Sequence, residues 1–158
     1  MMRPMVSNKL LSRLPRARAF LLRALGNLAD EGGVSLYLVG GVVRDLLLKQ
    51  ENWDLDLTVE GDGIAFARLV AVQYRAGLVV FERFATARLA FPDGLKIDIA
   101  TTRRESYAQP ALLPTVQPAS IEADLSRRDF TINALAVRLN PQQFGRMLDP
   151  YGDRKSVV

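Results

Sequence analysis

Ser35-Leu-Tyr-Leu-Val-Gly-Gly-Val-Val-Arg-Asp-Leu-Leu-Leu48, followed closely by Asp54-Leu-Asp-Leu-Thr-Val59, is the stretch on which the fold turns. Ser35 to Val39 is a short apolar run of strand length. Gly40-Gly41 punctuates it, and Val42 to Leu48 reads as a short helix. Leu55 to Val59 is a second strand. Residues two apart on a strand share a face, so Leu55, Leu57 and Val59 point to a core while Asp54 and Asp56 share the opposite face.

Upstream, Leu10, Leu14, Ala17, Leu21, Leu25 and Leu28 recur at helical spacing. Pro15 is expected in the first turn of that helix, where its missing N–H costs little, and Gly32-Gly33 ends it. Downstream, the pattern predicts a helix from about Ile64 to Tyr74 and strands at Leu78 to Phe81 and Ala87 to Phe91. Pro92-Asp93-Gly94 is a turn signal, with Lys96 to Ala100 as the returning strand of a hairpin. Pro110, Pro114 and Pro118 mark a long irregular loop. A helix from about Ile121 to Leu135 and a last strand near Ala136 to Leu139 follow. Elements in this order make an α/β domain with a mixed sheet flanked by helices. The length of 158 residues is that of one domain.

The chain has no Cys and no His. Thiolate chemistry, disulfides, Cys/His zinc sites and imidazole catalysis are therefore excluded together. Acid–base or metal chemistry falls to carboxylates, Lys, Arg, Tyr or water. No apolar stretch is long enough to span a membrane. The net charge is +4, unevenly spread. Arg3, Lys9, Arg13, Arg16, Arg18 and Arg23 precede the first acidic residue, Asp30. That segment reads either as a solvated basic helix face or as a contact for a phosphate backbone. A transit peptide is a third reading, countered by its quality as a structural helix.

Asp54 and Asp56 place two carboxylates side by side. Adjacent anions repel, and a fold that builds such a pair generally has a cation to put there. All-oxygen donors suit Mg²⁺ or Mn²⁺. In Lys96-Ile97-Asp98-Ile99, the alternation sets Asp98 on the face opposite the two isoleucines. If the two strands are neighbours, Asp98 is a third ligand, and three carboxylates hold two metals for an in-line phosphoryl displacement. The plainer alternatives are an exposed strand edge for Asp54 and Asp56, and a surface pair with Lys96 for Asp98.

Gly40-Gly41, between a strand and a helix, offers bare backbone amides to an anion. Arg44, one turn on, adds a guanidinium. Asp124-Leu-Ser-Arg-Arg-Asp-Phe-Thr-Ile-Asn-Ala134 mixes charge with apolar residues. Its charges must be paired if buried, either as a structural knot or as a clamp on a triphosphate and sugar.

Leu38-Val-Gly-Gly-Val-Val-Arg-Asp45, Asp54-Leu-Asp56, Arg127-Arg-Asp-Phe-Thr-Ile-Asn-Ala134 and Asp149-Pro-Tyr-Gly-Asp153 together resemble the head domain of class II tRNA nucleotidyltransferases and bacterial poly(A) polymerases. The resemblance runs from about Leu36 to Asp153. It implies a polymerase-β-like fold, and a cytoplasmic enzyme that transfers NMP from NTP (ATP or CTP) to the 3′-hydroxyl of RNA, tRNA above all. Asp54 and Asp56, with Asp98 as the third acid, are then catalytic ligands of two Mg²⁺ ions, or Mn²⁺. Gly40, Gly41 and Arg44 hold the triphosphate. Arg128 and Asp129 contact the nucleotide and sense the ribose 2′-hydroxyl, supported by Arg127 and Asn133.

The segment 149–153 departs from the family's hinge motif in lacking a second glycine. Nothing in 1–158 matches the neck motif that pairs with the incoming base, so the chain reads as a head without neck, body or tail. Two rivals remain: a non-catalytic RNA-binding module on this scaffold, and nucleotidyl transfer to a small molecule.

Overall fold

The computed structural model describes residues 8–51, 54–106, 115–128 and 134–149. A short helix α1 (Asn8–Leu11) precedes α2 (Arg16–Glu31). One continuous helix was the expectation; Pro15 divides it. A proline disfavours helical conformation in the residue before it, and Pro15 itself caps α2 in extended conformation (ψ 141°) instead of lying in its first turn. β1 (Ser35–Val39), α3 (Gly41–Leu47), β2 (Leu55–Glu60) and α4 (Gly63–Tyr74) follow. Asp62 caps α4, its carboxylate accepting from the Ala65 amide at 3.0 Å.

β3 (Gly77–Phe81), β4 (Thr86–Ala90) and β5 (Lys96–Thr101) form a meander. Its second turn is the expected one: Gly94 takes φ 93° and the Asp93 side chain accepts from the Leu95 amide. β6 (Arg103–Ser106) pairs with β7 (Thr115–Pro118) as a separate two-stranded ribbon. The end of the proline-marked stretch is therefore strand, contrary to expectation. A two-stranded ribbon consists of edges, and an edge strand tolerates proline. α5 (Ile121–Ser126), β8 (Ala136–Arg138) and β9 (Met147–Leu148) complete the order.

The main sheet runs β3-β4-β5-β2-β1-β8-β9, antiparallel throughout except for the parallel pair β2–β5. One face packs on α2, α3 and α4 in a single core. It contains Leu36 and Leu38 of β1, Leu55, Leu57 and Val59 of β2, Ala87 and Leu89 of β4, and Ile97 and Ile99 of β5, all buried. Gly26 lets α2 rest directly on the backbone of Leu139, where a Cβ would collide with the carbonyl.

The basic N-terminal segment is part of this architecture. Arg13 donates to the Leu46 carbonyl at 2.6 Å, Arg18 approaches Asp93 at 3.8 Å, and the Arg23 guanidinium lies 4.0 Å from the centre of the Phe144 ring. Those three arginines serve the fold. No helix among the described residues is long and apolar enough to cross a membrane.

The other face of the sheet is covered at one end only. Ile121 and Leu125 of α5 pack there with Tyr37, Val39, Ala134, Ala136 and Leu148. The N-terminus of α5 is tied to β2, since the Ile121 amide donates to the Glu60 carboxylate at 2.7 Å. Beyond this small cluster, Asp56 of β2 and the outer side chains of β5, β4 and β3 are partly or fully open to solvent, while Thr58 of β2 is buried.

Candidate active site

Strand register sets the site. Leu148, Ala136, Val39, Asp56, Asp98, Arg88 and Val79 stand opposite one another, each on the next strand, in one row across the sheet. The row starts apolar and buried and becomes charged where cover ends. Asp56 and Asp98 are neighbours because β2 and β5 pair in parallel with these two residues in register. Neighbouring strands lie about 4.8 Å apart, so the two carboxylates are side by side. Asp54 immediately precedes β2, exposed.

The charges interact. Surrounding protein desolvates the Asp56 carboxyl although solvent reaches it at the open face. That partial burial, then the Asp98 and Asp54 charges, raise its pKa above the ordinary carboxylate range; Arg128 and Arg88 pull it back. Asp98 is held by Arg88 in a two-bond fork, with Nε donating to Oδ1 at 2.7 Å and Nη2 to Oδ2 at 3.1 Å. Those hydrogen bonds, with the Asp98 charge, raise the pKa of Arg88. Among the described residues no group of three acids stands ready to cage an ion. With Asp98 committed to Arg88, this is the arrangement expected of crowded acids that have found a guanidinium as counter-charge.

Gly40, at the start of α3, closes the other side of Asp56. Its φ of 84° and ψ of −155° belong to a region open essentially to glycine alone. A Cβ built there would lie 3.4 Å from Asp56 Oδ2. A side chain there would meet the carboxylate at contact distance, so it is the positive φ that calls for glycine. Arg44, one turn along α3, is braced by the buried Asp45, its Nε donating to Oδ1 at 3.0 Å. Those hydrogen bonds, before the Asp45 charge, raise its pKa.

Arg127 and Arg128 converge on Asp124, which is 1% exposed. Arg127 Nη2 donates to Oδ1 at 3.1 Å and Arg128 Nη2 to Oδ2 at 3.1 Å, while the Arg103 amide also donates to Oδ1. The helix expected to run to Leu135 stops at Ser126. A buried carboxylate without partners is costly; the two arginines, three and four residues on, satisfy Asp124 from helical spacing, and Arg127 takes the C-cap position. Arg128 retains a buried Nε without a hydrogen-bond partner and lies close enough to Asp56 to lower its pKa.

Of the residues singled out from the sequence, the structure brings Asp54, Asp56, Asp98, Gly40 and Arg128 to one end of the open sheet face, with Gly41 and Arg44 on the adjoining helix. Asp129 and Asn133 lie outside the described residues, as do residues 150–153 of the Asp149–Asp153 segment. Asp98 pairs with Arg88, not with Lys96 as its plainer reading had it. Arg88 itself was missed. The only signal was a charge between two buried residues, Ala87 and Leu89, and a partner ten residues away is not written into that.

A family model for the poly(A) polymerase head domain matches residues 36–157. The chain is 52% identical over 139 residues to an A-adding tRNA nucleotidyltransferase of Geobacter sulfurreducens, an alignment covering 88% of this chain and 16% of that protein. Among solved structures, an apo form of a CCA-adding enzyme superposes with a TM-score of 0.92 at 44% identity, over 99% of this chain and 37% of the other. The Thermotoga maritima CCA-adding enzyme complexed with tRNA matches with a TM-score of 0.81 at 40% identity, over 98% and 35%. The chain therefore spans well under half the length of these relatives.

Proposed function

Because the chain belongs to the poly(A) polymerase head-domain family and has its polymerase-β-like nucleotidyltransferase fold, we propose that it is the nucleotidyl-transfer head of a cytoplasmic tRNA 3′-end-adding enzyme, and that the nucleotide added is A. The observation that carries the catalytic half of this reading is the register of β2 and β5, which sets Asp56 beside Asp98 on an open face with Gly40 against Asp56. The choice of A rests on the A-adding relative at 52% identity.

The all-carboxylate donor set fits a hard cation. Partial burial, then the Asp98 and Asp54 charges, raise the Asp56 pKa, and a cation would offset all three. Asp54, Asp56 and Asp98 would hold Mg²⁺ or Mn²⁺, two ions in our reading, which would supply positive charge at the phosphates and lower the pKa of the attacking hydroxyl.

The chain's own residues do the positioning. The Gly40–Gly41 backbone admits the triphosphate close to Asp56. Arg44, held out by Asp45, and Arg128, held by Asp124, are guanidiniums fixed before substrate arrives, so charge stabilisation costs little reorganisation. The RNA 3′-oxygen bonds to the α-phosphorus as the α–β bridging P–O bond breaks. Pyrophosphate leaves and the hydroxyl proton goes to water. Asp129 and Asn133 complete the nucleotide contacts.

The test offers tRNAs ending at the discriminator base, at C and at CC, each with α-labelled ATP or CTP. Label from ATP entering only the CC-ended tRNA supports the reading. Label from CTP alone would replace A addition by CC addition. No incorporation from any pairing, with RNA still bound, would favour a non-catalytic module.

A further inference from the structure

The site has two sides that the row across the sheet makes unequal. On one side of Asp56 lies Gly40, with α3 and Arg44 behind it; on the other lie Asp98, Arg88 and Val79 in sequence. An in-line displacement puts the entering and leaving oxygens on opposite sides of the α-phosphorus. With the triphosphate on the Gly40 side, the acceptor's 3′-oxygen enters from the Asp98 side, over β5, β4 and β3. There the surface is cationic and apolar together. Arg88 is 55% exposed, Lys96 is exposed two residues before Asp98, and Val79 and Phe81 stand 54% and 49% exposed along the edge strand. Exposed apolar side chains beside guanidinium and ammonium groups suit a nucleic-acid terminus, which has phosphates to pair and bases to stack.

Arg88 also occupies an acid that the chemistry needs free. Both of its hydrogen bonds go to the two oxygens of Asp98. A guanidinium and a divalent cation cannot share those oxygens without mutual repulsion. Resting on the nucleotidyl-transfer reading above, we propose that Arg88 is an exchangeable counter-ion and an acceptor-positioning residue. It neutralises Asp98 while the site is empty, then passes to the last phosphodiester of the RNA as Asp98 takes up cation. Placing the cation and placing the RNA end thereby become one coupled event, since each frees a partner for the other.

The test compares wild-type chain with Arg88→Gln, Arg88→Lys and, as a control on the opposite side of the sheet, Arg68→Gln. Two binding measurements are made. The first is fluorescence anisotropy of an RNA hairpin with a single-stranded CC end in Mg²⁺, from low to high NaCl. Losing one phosphate contact makes the slope of log K against log salt shallower by about 0.7 to 0.9. R88Q should show that change, and R88K and R68Q should keep the wild-type slope. The second is Mn²⁺ alone, without RNA or nucleotide, followed by electron paramagnetic resonance. R88Q should bind Mn²⁺ several-fold tighter, because a competing cation has gone.

A shift in the salt slope with tighter Mn²⁺ binding is the expected pair. An unchanged slope, or Mn²⁺ affinity that stays level or falls, overturns the proposal. R88K keeps the charge, so a slope lost in both variants would point to disrupted structure and overturn it too. Failure of the underlying reading looks different: wild-type chain would then transfer no nucleotide to tRNA, whatever residue 88 does.

Discussion

Asp56→Asn should make the protein more stable while removing its activity. Asp56 sits between Asp54 and Asp98, and the raised pKa reports that its charged form is disfavoured in the folded state. Two like charges about 6 Å apart repel by roughly 0.7 kcal/mol at the dielectric of water and roughly 3 kcal/mol at an effective dielectric of about 20. The open face places the true value toward the lower figure, and Arg128 and Arg88 offset part of it. A net gain of about 1 kcal/mol on neutralisation follows, or about 2–4 °C in Tm for a chain of this size. The pH dependence fixes the sign. A carboxyl whose folded pKa is raised keeps its proton in the native state after the unfolded chain has released it. Stability is therefore lost as pH rises from the ordinary Asp range, about 3.9, up through the raised value, and is level above it. Asn at this position has no proton to lose, so the gain over wild type should be small at acid pH and full at neutral pH. Differential scanning fluorimetry across that range, without divalent cations, reads both. A Tm that falls in D56N, or a gain that shrinks as pH rises, would refute the claim that Asp56 is electrostatically crowded.

Gly40→Ala should cost about 1–3 kcal/mol, the usual strain of a side chain in such a backbone region, seen as a lower urea midpoint at unchanged m-value. Asp124→Ala should be the most damaging single change at the site, about 3–5 kcal/mol, because it strands two buried-side guanidiniums and the Arg103 amide; Asp124→Asn should recover part of this in the same melt. Asp129→Ala should shrink the preference for ATP over dATP, expected at about 1–3 kcal/mol for an unmade buried hydrogen bond, by competition binding on protein shown to be folded. Calorimetry should find ATP, CTP, GTP and UTP bound with similar weak affinity by this chain, since the contacts assigned here reach phosphates and sugar and none reaches a base edge.

How far the sequence discloses this site depends on the range of each interaction. Alternation in Asp54-Leu55-Asp56 and Ile97-Asp98-Ile99 is local, and the faces it predicts are the faces observed, because burial of the intervening residues admits no other register. Whether β2 and β5 are neighbours is not local. Each strand is equally apolar on its inner face, and only the helix α4 and the meander between them bring the two together in parallel. Arg88 escaped for the same reason: its partner is across a strand pair, not along the chain.

Two expectations drawn from local signals failed. Apolar periodicity runs on past Ser126, yet α5 ends there. Pro118 read as loop, yet it lies in β7, in a two-stranded ribbon made of edges. The family resemblance rested on four ordered motifs, Leu38–Asp45, Asp54–Asp56, Arg127–Ala134 and Asp149–Asp153, whose order and spacing are read along the chain.

If the Asp56–Asp98 row is a nucleotidyl-transfer site, its two acids and a divalent cation are all required for transfer. Transfer of labelled AMP from ATP to a CC-ended tRNA should be measured side by side for wild-type chain, D56N and D98N, in Mg²⁺ and in EDTA. Wild-type transfer should be abolished by chelation, and each variant should lose at least about 10²-fold, the scale of one lost transition-state contact, in proteins that still fold and still bind RNA. Wild-type transfer that survives in D56N, or that persists in EDTA, would contradict that requirement.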